Sequence, residues 1–246
     1  MVIAGLEKRS GSVSFALAYI FAGVILTHLV CLALPGVWFL PAFNGAVFFL
    51  IFLQPLRRGD YWAAVRLALI WAAVTTLVQI LLTLGWPELI GKKIWKGIAY
   101  RQEMMTWVRT GTGPEGDIRL FLPIHIKNFV VFIVASLISG GFLGLVMGAA
   151  LLGHMNFYVG SLLSQAHFSW IALLLSWPVW SVLRVVGYIM LGTALGAVIV
   201  HRQGGEKKSK ILRLSFYALV LVILDVILKW ALAPGYQEWL KAAIGG

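Results

Sequence analysis

Apolar residues dominate seven stretches of this chain, at about 13–35, 37–55, 61–85, 127–153, 155–177, 179–200 and 212–233, most of them almost free of charge. A helix rises about 1.5 Å per residue, so roughly 20 residues carry it across the ~30 Å hydrocarbon core of a bilayer. The pattern therefore predicts an all-α fold, a polytopic transmembrane helix bundle of six or seven spans forming a single integral membrane domain over residues 1–246. The uncertain member is 155–177. It holds Asn156, Gln165 and His167, has His154 at its edge and stops at Pro178, so a re-entrant or tilted piece competes with a full crossing.

Between the third and fourth stretches, residues 86–126 break the pattern. From Ile90 the apolar positions Ile90, Ile94, Trp95, Ile98, Met105 and Val108 recur near the helical period, with Lys92, Lys93, Lys96, Arg101 and Glu103 on much of the other face. An amphipathic interfacial helix at about 88–109 is expected, with Lys92, Lys93, Trp95 and Lys96 at the membrane surface; its apolar face either packs against the rim of the bundle, the simpler reading, or offers a lipid- or partner-binding surface. Thr110 to Asp117, rich in Gly, Pro and charge, must end that helix in a loop.

Composition agrees with the pattern. Residues are 61% hydrophobic and 12% charged, and mean hydropathy is +0.91, which excludes an ordinary soluble domain. The net charge of +11 would fit nucleic acid, but the basic residues stand at the ends of apolar spans, where they meet headgroups, so membrane lipids are the expected partners and nucleic acid is not. With the N-terminus cytoplasmic, Lys8/Arg9, Arg57/Arg58 and the group Arg202, Lys207, Lys208, Lys210, Arg213 all fall inside, as expected for a multi-pass protein of the cell membrane; the 86–126 segment, with six basic residues outside, is the exception. The run after Lys8 and Arg9 is too long for a signal-peptide core and reads as a retained anchor. Cys31 is the sole cysteine, so no internal disulfide forms.

Candidate chemistry is sparse. Gly140, Gly144 and Gly148, and likewise Gly192 and Gly196, recur every four residues, a spacing that lets helix backbones approach closely in lipid. Asp225 and Lys229 stand four apart on the last helix and are expected to form an intramembrane ion pair, whereas Arg184 and Arg66 have no acid at helical spacing and need a partner from elsewhere. Asn128, Asn156, His167 and Arg184 are candidates for a polar centre of the bundle. The five histidines lack the i, i+4 spacing of a helical zinc site, and two at equal depth could hold a haem only if helices brought them together; no metal or cofactor is expected. Ser161, Ser164 and Ser169 have histidine neighbours, but the intramembrane acid lies far away at Asp225, and there is no phosphate-binding loop, dinucleotide fingerprint or nucleophile elbow. An enzyme is the weaker reading.

Ile126, Lys127 and Asn128, then Gly140, Gly141 and Gly144, Asn156-Phe157-Tyr158-Val159-Gly160, and Pro178 to Gly196 together resemble the stage II sporulation protein M family of multi-helix membrane proteins. The resemblance covers residues 126–200 or so. Where that family often carries a His-Gly and Glu stretch, this chain has Trp177, Pro178, Val179, Trp180 and Arg184. The resemblance implies a non-enzymatic scaffold or accessory subunit of a larger membrane complex, with other membrane-protein subunits or a homo-oligomer as partners. A small transporter or permease component is the alternative, for which the polar 154–169 stretch and Pro178 are the pointers; no repeat between 13–85 and 127–200 supports it.

Overall fold

A computed structural model describes residues 13–166, 170–201 and 205–245. His167, Ser169, Arg202, Lys8 and Arg9 lie outside the described residues. The described chain is helical, with α1 (Val13–Ala33), α2 (Phe39–Arg58), α3 (Tyr61–Gly85), α4 (Pro87–Gly91), α5 (Gly97–Thr110), α6 (Ile118–Ile138), α7 (Phe142–Gln165), α8 (Trp170–Leu175), α9 (Val179–Val200) and α10 (Gly205–Ala243). Seven of these, α1, α2, α3, α6, α7, α9 and α10, are long and apolar enough to cross a membrane. The protein is an all-α, multi-pass membrane bundle.

Successive crossings alternate in direction, which sorts the connections onto two ends. At one end the α2–α3 turn meets the start of α10, with the Lys207 stem lying on Gly59. At the other, the Lys93 ammonium donates to the Leu34 carbonyl at 2.5 Å and Trp38 packs against Trp95. Here α4, α5, α8 and the last turns of α10 form a cap. Exposed Trp38, Trp86, Trp95, Trp170 and Trp239 mark the capped end, the distribution expected of indoles at a headgroup level.

Most of the core lies between α2, α3, α7 and α9, around Phe48, Phe52, Leu56, Trp71, Ala194 and Ala197. A second cluster ties the cap to the bundle, with Met104, Trp107 and Val108 of α5 and Leu240 of α10 packed against Tyr158, Leu162 and Trp180.

Three expectations are corrected. The stretches 127–153 and 155–177 are really the crossings 118–138 and 142–165, followed by the six-residue α8. Gly140 and Gly141 both take positive φ (62° and 97°) and turn the chain between α6 and α7, yet apolar residues continue on both sides, so hydropathy alone does not register the turn. Residues 155–177 are therefore neither one crossing nor a re-entrant loop. Secondly, Gly140, Gly144 and Gly148 do not line one helix: Gly140 is in the turn and Gly148 faces open space, while Gly144 lies against Ser136 and Phe132. Gly192 faces Phe132, and Gly196 faces the Gly140 carbonyl. Thirdly, the surface helix at 88–109 is two helices, interrupted at 92–96 where Lys96 takes a left-handed φ of 53°. Its apolar side, Met104, Met105, Trp107 and Val108, is buried against the bundle, the simpler of the two readings.

Close helix approach occurs instead at Gly160, where a methyl group would come within 2.7 Å of Thr83 Cβ. Gly160→Ala should lower the thermal stability of the detergent-purified protein by about 1–3 kcal/mol, whereas Gly148→Ala, with no neighbour to displace, should leave it unchanged or raised.

Candidate functional site

Two polar assemblies stand out. The first joins α9, α10 and the loop before α6. Gly187 lets α9 approach α10 so closely that a Cβ there would lie 3.2 Å from the Ala218 carbonyl. One turn earlier, Arg184 reaches Asp225 with two parallel bonds, Nε to Oδ2 and Nη2 to Oδ1, each 2.8 Å. Lys229, one turn beyond Asp225, points into the cap and donates to Glu115 Oε2 at 2.7 Å, and its ammonium also sits 4.4 Å from the Phe121 ring centre. The Trp180 indole donates to the other Glu115 oxygen at 3.3 Å. Asp225 and Lys229 are almost wholly buried.

The expected Asp225–Lys229 pair is thus corrected: each takes a different partner. A planar guanidinium satisfies both oxygens of a carboxylate at once, which a lysine cannot do, so Arg184 takes Asp225. The displaced lysine is matched by an acid from the loop. Two cations and two anions make the group neutral, as burial away from water requires. His125 borders it. Its Nδ1 donates to the Phe121 carbonyl at 3.0 Å, leaving Nε2 3.8 Å from Asp225, beyond hydrogen-bond reach.

Burial alone would raise the Glu115 carboxyl's pKa. The Lys229 and Arg184 cations, with the hydrogen bonds from Lys229 and Trp180, outweigh it and hold the group below its usual range. The interaction fastens the Gly-rich 111–117 loop, and with it the end of α5, to the transmembrane helices.

The second assembly runs between α1, α2, α3 and α7. Trp71 Nε1 donates to Asn44 Oδ1 at 2.8 Å, and Asn44 Nδ2 points at Thr75 Oγ1 at 3.4 Å. Asn156 Nδ2 donates to Gln79 Oε1 at 3.0 Å. A cleft entering from the capped end beside Lys93 and Trp95 reaches this set, with His28, Asn44, Thr75 and Gln79 among its lining. Its inner space for water centres is about 20 Å³, room for one water molecule. His28 Nδ1 donates to the Val24 carbonyl at 2.8 Å, so the neutral ring presents a lone pair at Nε2. That atom and Gln79 Nε2 are buried with no protein partner among the described residues. Gly153 keeps the space open, since a Cβ there would lie 3.4 Å from Gln79 Nε2.

The candidates for one polar centre therefore have separate partners: Arg184 joins the first assembly and Asn156 the second, and Asn128 is half-buried on α6. At the capped surface Lys92, Trp95 and Lys96 are exposed, and Lys96 lies over the Trp95 ring, but Lys93 turns inward to cap α1. Arg66 is exposed near the start of α3. The described histidines each contact a backbone carbonyl, His154 that of Trp95 and His201 that of Leu56. Sequence reasoning missed Glu115, counted only as loop charge, and also Asn44 and Gln79, whose signal was available: an amide inside an apolar span needs a partner.

Fold and site together define a multi-pass integral membrane protein whose buried charges are neutralised within the chain. Compared with models of protein families, curated proteins and solved structures, the chain matches none.

Two outcomes test the first assembly. Arg184→Met or Asp225→Leu alone strands a buried charge and should cost about 3 kcal/mol or more, while the double variant should recover much of the loss in thermal unfolding in detergent. For Glu115 the folded pKa lies below the unfolded one, near 4.3, so its stabilisation is complete above that value and fades as pH falls through the folded pKa. Unfolding temperatures measured from pH 7 down to pH 3 should fall more steeply for the wild type than for Glu115→Gln, which starts lower at pH 7.

Proposed function

We propose that this protein is a non-enzymatic scaffold or accessory subunit of a larger membrane complex, of the kind implied by its resemblance to the stage II sporulation protein M family. The observation that supports the reading is the use made of the intramembrane charges. Arg184, Asp225, Lys229 and Glu115 are joined pairwise and serve to fasten a cap onto the bundle, a structural use of intramembrane charge. Placement in the cell membrane with a cytoplasmic N-terminus belongs to the same proposal and follows from Arg57, Arg58, Lys207, Lys208, Lys210 and Arg213 gathering at one end.

A small transporter or permease component is the second reading, and the polar cleft favours it. His28 Nε2 and Gln79 Nε2 are buried, without a partner among the described residues, and reached from the capped end of the bundle. On this reading Gly153→Leu, which fills the cleft, abolishes function in protein that a thermal scan shows to be folded.

Purification of the tagged protein from its native membrane in mild detergent, with a native-mass measurement and identification of co-purifying chains, tests the proposal. Stoichiometric membrane-protein partners are expected. A lone chain, with uptake into proteoliposomes that Gly153→Leu removes, would overturn the scaffold in favour of the transporter.

A further inference from the structure

The end of the bundle opposite the cap carries cations of a different kind from the buried pairs. Arg57 and Arg58 occupy the last turn of α2, both exposed, and neither has a hydrogen bond or ion pair among the described residues. The α10 helix begins beside them. The Lys207 stem lies across Gly59, where a Cβ would be 3.4 Å from Cε. His201 holds the tip of that side chain. Its Nε2 donates to the Leu56 carbonyl at 2.7 Å, which leaves Nδ1 as an acceptor for the Lys207 ammonium at 3.3 Å. Lys207 is thereby positioned with two of its three N–H groups unspent. The acid in this turn, Asp60, is engaged as the N-cap of α3, accepting from the Ala63 amide at 3.0 Å.

One position on from Lys207 along α10, Lys208, Leu212 and Phe216 stand at four-residue intervals and so share one face, next to the one that Lys207 turns to Gly59. All three are exposed, Leu212 at 69% and Phe216 at 62%. A group of cations thus stands at this end of the bundle beside an exposed apolar stripe of α10 headed by Lys208, and Trp62 near the start of α3 is exposed at the same end.

We propose that the notch formed by Arg57, Arg58 and Lys207 binds the headgroup phosphate of an anionic phospholipid whose acyl chain lies along the Leu212–Phe216 face of α10. Positive charge at a span end also sets topology, but that role needs only charge near the membrane. It does not require a lysine braced by a histidine, a glycine beneath its stem and an exposed apolar stripe on the adjoining face of the helix. A phosphate accepts from several donors at once, and two guanidinium forks with a fixed ammonium match it.

The experiment is native mass spectrometry of the full chain in mild detergent, titrated separately with phosphatidylglycerol and phosphatidylcholine. Retained phosphatidylglycerol at near one per chain is expected, with about tenfold or greater loss in Arg57→Gln/Arg58→Gln/Lys207→Gln. Equal retention of the two lipids, unchanged retention by the triple variant, or displacement by millimolar inorganic phosphate would overturn the proposal, the last by revealing a free-phosphate site. A thermal scan accompanies each variant. If the triple variant has no transition, Arg57→Gln/Arg58→Gln is read in its place, because those two side chains have no partner among the described residues.

Discussion

Neutralising charge where water is scarce is the constraint on which the capped half of this molecule rests. An isolated lysine or aspartate within an apolar helix is costly, and a partner four places along its own helix returns only a few tenths of a kcal/mol in an exposed helix. Here the solution is spread over three segments. Arg184 crosses from α9 to Asp225, Lys229 turns outward to Glu115, and Trp180 completes the Glu115 carboxylate. Because Glu115 belongs to a loop with no regular structure, its capture determines where the chain between α5 and α6 runs. Gly187 is the steric condition for the arrangement, since a side chain there would drive α9 from α10 and stretch both guanidinium bonds.

The uncharged polar groups obey the same rule at lower stakes. Asn44, Trp71, Gln79 and Asn156 exchange hydrogen bonds across α2, α3 and α7. Unlike the charged cluster, this set is incomplete: His28 and Gln79 each retain an unpaired atom toward a cleft with room for a water molecule. Cation placement at the opposite end differs again. Arg57 and Arg58 stand in the exposed last turn of a helix, where they suit the helix C-terminus and a headgroup layer equally. Three kinds of polar residue thus divide the bundle into a cap fastened by charge, a middle threaded by amides and a basic rim facing lipid.

What could be read from the residues alone was the solvent and hence the class of fold. Long apolar runs, charge gathered mostly at span ends and a single charged connecting segment suffice for an all-α, multi-pass bundle, because in hydrocarbon an α-helical chain keeps its backbone satisfied within each span. Crossings at 61–85 and 179–200 were legible to the residue, since Asp60 and Pro178 mark their starts and polar or turn-forming residues mark their ends. The α6–α7 turn was not legible, because Gly140 and Gly141 change the chain's direction without changing its polarity. Nor was the fate of 88–109: its amphipathic period correctly signals one apolar face, but a period cannot say whether lipid or protein covers that face.

Pairing was decided only in three dimensions. The spacing of Asp225 and Lys229 brought them to one side of α10, and that much holds. Which acid meets which base depended on α9 lying against α10 and on a loop more than 100 residues away in sequence returning to the same place. Local periodicity encodes the direction in which a side chain points; what waits there is a property of the packed chain.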